Sequence, residues 1–247
     1  MDEMHWLTSF WPGSMLTALR GGASIRKLRL FAVACCRRVW HLILDSTVRR
    51  AVEVAERFAD GGATEEEREA AALVAGAAPV FHEFAPAPPR PPQHLVPSER
   101  HAAWAAVYAY ATGYSSEEAD AHAASAAGQA ALAVQAAHAG AWLHRGLPAP
   151  LLPDLTESLA QAQLLRDVFG NPFRPVTIEA SWLAWRDGIV GQLAASIYEE
   201  RRFADVPILA DALEDAGCTE APLLAHCRGH KEHVRGCWVV DRLLGKE

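Results

Sequence analysis

Apolar residues recur three or four positions apart through much of the chain, and the strict alternation of a half-buried strand is nowhere sustained. In "SIRKLRLFAVACCRRVWHLIL", Leu28, Phe31, Cys35, Val39 and Leu42 trace the stripe of a long helix that buries one face, with Ser24 as its N-cap. Ser46 is placed to cap a second helix through Ala59, whose exit is marked by Gly61 and Gly62. Thr64 and Glu67 have capping-box spacing and open a third helix toward Ala77. The opening "MDEMHWLTSFWPGS" is acidic, then broken by Pro12 and Gly13, which rules against a secretory h-region.

The pattern stops at "APAPPRPPQHLVP", residues 85–97, because each proline lacks a donor and clashes with the preceding turn. This segment reads as a semi-rigid extended connector between an N-terminal helical segment, 1–84, and a C-terminal one, 98–247. The pattern leaves open whether the two share one core. Beyond the connector, helices are expected from Ser98 to Ala111 and from Ser115 to about His144, the second rich in alanine. After "GLPAPLLP", a helix from Thr156 to Phe169 ends at Gly170. Shorter helices follow around Glu179–Trp185, Gly188–Arg201, Pro207–Ala216, Glu220–His226 and His233–Leu244. The fold class is therefore all-α, a multi-helix bundle-like array with a Pro-rich connector and a long Ala-rich helix.

Composition narrows the function more than the fold. A chain of 247 residues, 51% hydrophobic and 21% charged, can bury a substantial core. The net charge of −7 argues against a surface built to hold phosphate. A local exception is the basic group Arg26, Lys27, Arg29, Arg37, Arg38, Arg49 and Arg50, for which pairing with nearby Asp and Glu is the stronger expectation than nucleic acid. No membrane-length apolar run and no secretory h-region are seen, and five cysteines, two of them adjacent, fit a reducing compartment; the expected location is the cytoplasm.

One segment concentrates chemistry. "HCRGHKEHVRGCW", residues 226–238, offers Cys227, His230, His233 and Cys237, with His226 beside them. Thiolate and imidazole are the donors zinc prefers, and His233 and Cys237 share a face if the segment is helical. Against zinc stands the lack of a long loop between ligand pairs; the plainer reading makes Cys237 a core residue beside Val240 and Leu244. A nucleophilic cysteine is the other alternative, with Arg228, Arg235 and a neighbouring His able to lower the pKa of Cys227 or Cys237. Gly-rich phosphate loops, His-Glu-x2-His helices and Gly-x-Ser-x-Gly elbows are missing from the sequence, and no catalytic residue is assigned.

The strings "SIRKLRLFAVACCRRVWHLI", "LLRDVFGNPFRPVTI", "YEERRFADVPILADALEDAGC" and "HCRGHKEHVRGCWVVDRLLGKE" resemble segments of a large paralogous family of uncharacterised planctomycete bacterial proteins. The resemblance covers roughly the first sixty and last ninety residues, and it implies no activity, ligand or catalytic residue for this chain. The residues favour a non-enzymatic protein-interaction or regulatory module with a protein partner. The alternatives are a zinc-stabilised helical domain built on the C-terminal Cys/His segment and a thiol-dependent enzyme.

Overall fold

A computed structural model of the chain describes residues 1–76, 155–229 and 232–246. Among them no strand occurs, and the fold is all-α. The Pro-rich connector at 85–97, the boundaries assigned around it and the expected helices at 98–111 and 115–144 lie outside the described residues.

The chain begins with α1 (Glu3–Thr8), capped by Asp2, whose carboxylate accepts the His5 N–H at 2.8 Å. Next comes α2 (Pro12–Leu19), where Pro12 occupies the first helical position and so loses no hydrogen bond. The sequence pattern indicated neither helix. In α3 (Ile25–Arg38), the Ser24 side chain accepts the Lys27 N–H at 3.3 Å, and Leu28, Phe31 and Cys35 are buried. The expected stripe continues to buried Val39 but not to Leu42, because α3 ends at Arg38 and the turn Trp40–Leu42 buries Ile43 in its place.

Asp45, not Ser46, caps α4 (Ser46–Ala59), accepting the N–H groups of Thr47 and Val48 at 2.8 and 3.3 Å. Both arms of the Thr64–Glu67 capping box form at the head of α5 (Glu65–Gly76): Thr64 N–H to Glu67 at 2.9 Å, and Glu67 N–H to the Thr64 hydroxyl at 3.2 Å.

Contacts divide the chain into two compact units, Phe10–Gln161 and a second made of Met1–Ser9 with Ala162–Glu247. In the first, Arg26, Arg29, Arg37, Arg38 and Arg49 of the basic group are held from within. Arg26 pairs with Asp60, Arg37 with Glu56, and Arg38 reaches the buried Glu157 with contacts of 3.0 to 3.1 Å. Arg29 is buried with its guanidinium 4.6 Å from the Phe58 ring centroid, and burial lowers its pKa to about 10. Arg49 donates to the Trp40 carbonyl at 3.1 Å.

In the second unit, the later helices are α6 (Leu155–Phe169, whose part from Ala162 onward belongs here), α7 (Ala180–Ala184), α8 (Ile189–Glu199), α9 (Val206–Asp215), α10 (Ala221–Arg228) and α11 (Trp238–Leu243). Val190, Ala194, Ile197, Leu209, Leu213, Leu223, Val239 and Val240 form one apolar core with Cys227 and Cys237. The last helix is shorter than the expected His233–Leu244: residues 232–237 are non-helical and turn at Gly236, φ +98°. After Gly170, Asn171 turns the chain by accepting the Phe173 N–H at 3.0 Å, as a turn reading of "NPF" requires.

Gly170 ends α6 with φ +67°, and its Cα faces the Trp238 indole so closely that a Cβ would sit 3.0 to 3.2 Å from three ring atoms. Its carbonyl accepts the Trp6 indole N–H at 2.9 Å, which brings α1 onto this unit. Replacing Gly170 with Ala adds left-handed strain to that clash and is expected to destabilise the protein by about 2 kcal/mol or more. Gly191→Ala, inside α8 with nothing within 4 Å of the new methyl, should stabilise it by up to about 1 kcal/mol. Urea midpoints that moved the same way for both variants would contradict this account.

Candidate metal centre

The last turn of α6 carries "LLRDVFG", in which Leu164, Leu165 and Val168 are buried. Asp167 lies three residues after Leu164, so it shares the inward face, and it is 1% exposed. A carboxylate there is doubly disfavoured, by loss of water and by the negative end of the helix dipole. It is stabilised by three donors. Asp167 Oδ1 lies 2.6 Å from His233 Nδ1 and 3.2 Å from His226 Nε2, and Oδ2 accepts the Val234 N–H at 3.0 Å. Burial alone would raise its pKa; the two imidazoles outweigh burial and hold it at about 2.

His226 reaches this point from α10, one residue before Cys227, which turns into the apolar core with Leu223. The non-helical run 232–237 delivers His233, and Cys237 is the N-cap of α11. Cys237 Sγ stands 3.3 Å from His226 Nε2 and 3.8 Å from His233 Nδ1. Four atoms thus close a circuit: Asp167 Oδ1, His226 Nε2, Cys237 Sγ and His233 Nδ1. All four lie within 4.8 Å of one another and can hold a metal ion. The side chains of Asp167 and His233 are 1% and 3% exposed, and that of His226 is 10% exposed.

The separations test the fit. Bond lengths of about 2.0–2.1 Å to nitrogen or oxygen and about 2.3 Å to sulfur put the edges of a tetrahedron at roughly 3.3 Å for N···O and 3.5 Å for N···S. The distances 3.2, 3.3 and 3.8 Å bracket those edges. The fourth, 2.6 Å between Asp167 and His233, is a hydrogen-bond length, and a metal would replace the shared proton and open that edge by about 0.7 Å. His233 Nε2, on the far side of the ring, is buried without a hydrogen-bond partner among the described residues, so the ring's hydrogen bonding is through Nδ1, and it packs edgewise against the His226 ring, centroids 4.9 Å apart.

Two of the four sequence-designated ligands, His233 and Cys237, meet here; they do so around a turn and a helix cap, not along one helical face. Cys227 is outside the group, and His230 lies outside the described residues. His226 and Asp167 complete the set. The wrapping loop that the short Cys/His run lacks is supplied by distance along the chain, since Asp167 comes from another helix.

The same geometry bears on thiol reactivity. All five cysteines are buried and reduced. Burial pushes Cys227 up to about 12, and burial with the Asp167 charge pushes Cys237 up, while the N–H groups of Val239 and Val240 facing its sulfur work the other way. Of the groups expected to activate a thiol, the arginines are engaged elsewhere, Arg228 with Asp211 and Glu214 and Arg235 over the Tyr198 ring and on the Tyr198 carbonyl; His226 and His233 do stand beside Cys237, but its thiol is still pushed up. No protein-family model, characterised protein or solved structure matches the chain. No helix among the described residues is long and apolar enough to cross a membrane.

Native protein at pH 7 should therefore react with a disulfide reagent at far less than one thiol in the first minutes, and at five after unfolding. A single fast-reacting thiol that maps to Cys227 or Cys237 would overturn this and restore the nucleophilic alternative.

Proposed function

We propose that Asp167, His226, His233 and Cys237 bind one zinc ion that stabilises the unit formed by Met1–Ser9 and Ala162–Glu247. The observation that carries the reading is the closed circuit of one oxygen, two nitrogens and one sulfur. A mixed donor set containing thiolate and imidazole suits a borderline cation, and four close protein donors suit tetrahedral Zn²⁺ over the six or more oxygens of Mg²⁺ or Ca²⁺. With all four positions filled by protein side chains, three of them buried, the metal has a structural role. It clips the end of α6 to α10 and to the start of α11, elements about sixty residues apart in sequence.

For the chain as a whole we retain an interaction or regulatory role with a protein partner. The feature that favours it is the apolar side of α1, where Met4 and Leu7 are 69% and 51% exposed.

Protein purified without a histidine tag should hold close to one equivalent of zinc by elemental analysis, with affinity rising with pH because ligation removes the Cys237 proton. His233→Ala and Cys237→Ser should each lose the metal, and Asp167→Asn should weaken it at least tenfold. Cys227→Ala should retain it. Retention by Cys237→Ser, loss with Cys227→Ala, or less than about a tenth of an equivalent in the parent protein would refute the assignment.

A further inference from the structure

Beside the metal centre, and within the same unit, lies an open pocket of about 410 Å³, a size that suits a small organic molecule. Its wall has an unusual charge for a chain of net −7: the guanidiniums of Arg166, Arg174 and Arg242 stand against one carboxylate, that of Glu3. The rest of the wall includes the indole of Trp238 and the ring of Phe169.

The cations are positioned by the fold. Arg166 donates from Nε and Nη2 to the Trp6 carbonyl at 3.0 and 2.7 Å, and also to the Ser9 carbonyl. Arg242 donates from Nη1 to the Val176 carbonyl at 2.5 Å, and its other N–H groups have no partner among the described residues. Arg174 Nε meets Glu3 Oε1 at 2.8 Å, and Asn171 Nδ2 donates to the same oxygen at 2.8 Å. Both donors of this corner meet one oxygen of the chain's own Glu3, so it already accommodates a carboxylate oxygen. A guanidinium fixed by a backbone carbonyl is preorganised, because the ordering of a flexible side chain is complete before a ligand arrives.

We infer that this pocket binds a small carboxylate with a flat apolar body, the carboxylate on the Arg242 and Arg174 guanidiniums and the body against Trp238 and Phe169. An oriented fork of N–H donors matches a carboxylate with two bonds, and the aromatic wall supplies the apolar contact that an inorganic anion lacks. His226 borders both the pocket and the proposed zinc set, but none of the three arginines belongs to that set. The pocket reading therefore goes beyond the metal reading and does not rest on it.

The probe is 2-naphthoate, titrated into the full-length ¹⁵N-labelled protein while the Trp238 indole N–H signal, assigned with Trp238→Phe, is followed by NMR. The neutral isostere 2-naphthamide and inorganic phosphate are run in parallel. Naphthoate should shift the signal saturably with a dissociation constant below about 1 mM, and naphthamide should bind at least tenfold more weakly. Phosphate should not saturate the signal over the same range. Arg242→Gln should weaken naphthoate at least tenfold; Arg174→Gln, at an exposed side chain whose loss the fold tolerates, should weaken it severalfold and serves if Arg242→Gln does not fold. Equal binding of naphthamide, saturation by phosphate at equal or lower concentration, no saturation by naphthoate, or unchanged affinity in a folded arginine variant would overturn the inference. Titrating protein with and without bound zinc separates this result from that of the metal assignment, since a chain that takes no zinc still reports on the pocket.

Discussion

A carboxylate buried at the wrong end of a helix is the constraint around which the C-terminal unit is arranged. Asp167 has exchanged water for the dipole-negative terminus of α6, and either change alone would favour its neutral form. Two imidazoles and one backbone N–H reverse the balance, and to do so they must come from α10 and from the run before α11. The position of this side chain thus decides where the following segment turns, why Cys237 becomes a helix cap, and which atoms face one another across the centre. Removing one partner of such a group typically costs several times what the intact pair contributes, so the cluster specifies geometry more than it adds net stability.

The basic part of α3 shows the opposite use of charge. Arg26, Arg37 and Arg38 stretch along an apolar neighbourhood and finish on carboxylates of α4, its cap and α6, while Arg29 lies against Phe58. Much of the positive charge that the sequence concentrates over a few turns is thereby used in joining helices. In the second unit guanidiniums also anchor to backbone carbonyls, as Arg166 and Arg242 do, but there they border open space.

What could be read beforehand follows from range. Ser24 and the Thr64–Glu67 box act over three residues, and both form as their spacing dictates. Cap choice one residue apart was less legible: Asp45 outcompetes Ser46 because its carboxylate reaches two N–H groups at once. Pro12 reads as a breaker until it is recognised as a first helical residue. His233 and Cys237 stand out as metal-type donors in one string, whereas His226 reads only as their neighbour and Asp167 lies far outside that string. A local signal for Asp167 did exist: a carboxylate placed three residues after Leu164 and next to Val168, on a face with no reason to tolerate it. Its partners, some sixty residues downstream, leave no trace in short-range pattern.

The bond from the Trp6 indole to the Gly170 carbonyl spans 164 positions of sequence. Such a connection gives the second unit a high contact order, and loop closure must precede any reward from it. On a ribosome elongating at about 5–20 residues per second, α1 emerges and then waits roughly ten to thirty seconds for its docking surface to be synthesised. During that interval Trp6 is an unsheltered indole on a six-residue helix too short to persist alone, a natural substrate for a chaperone.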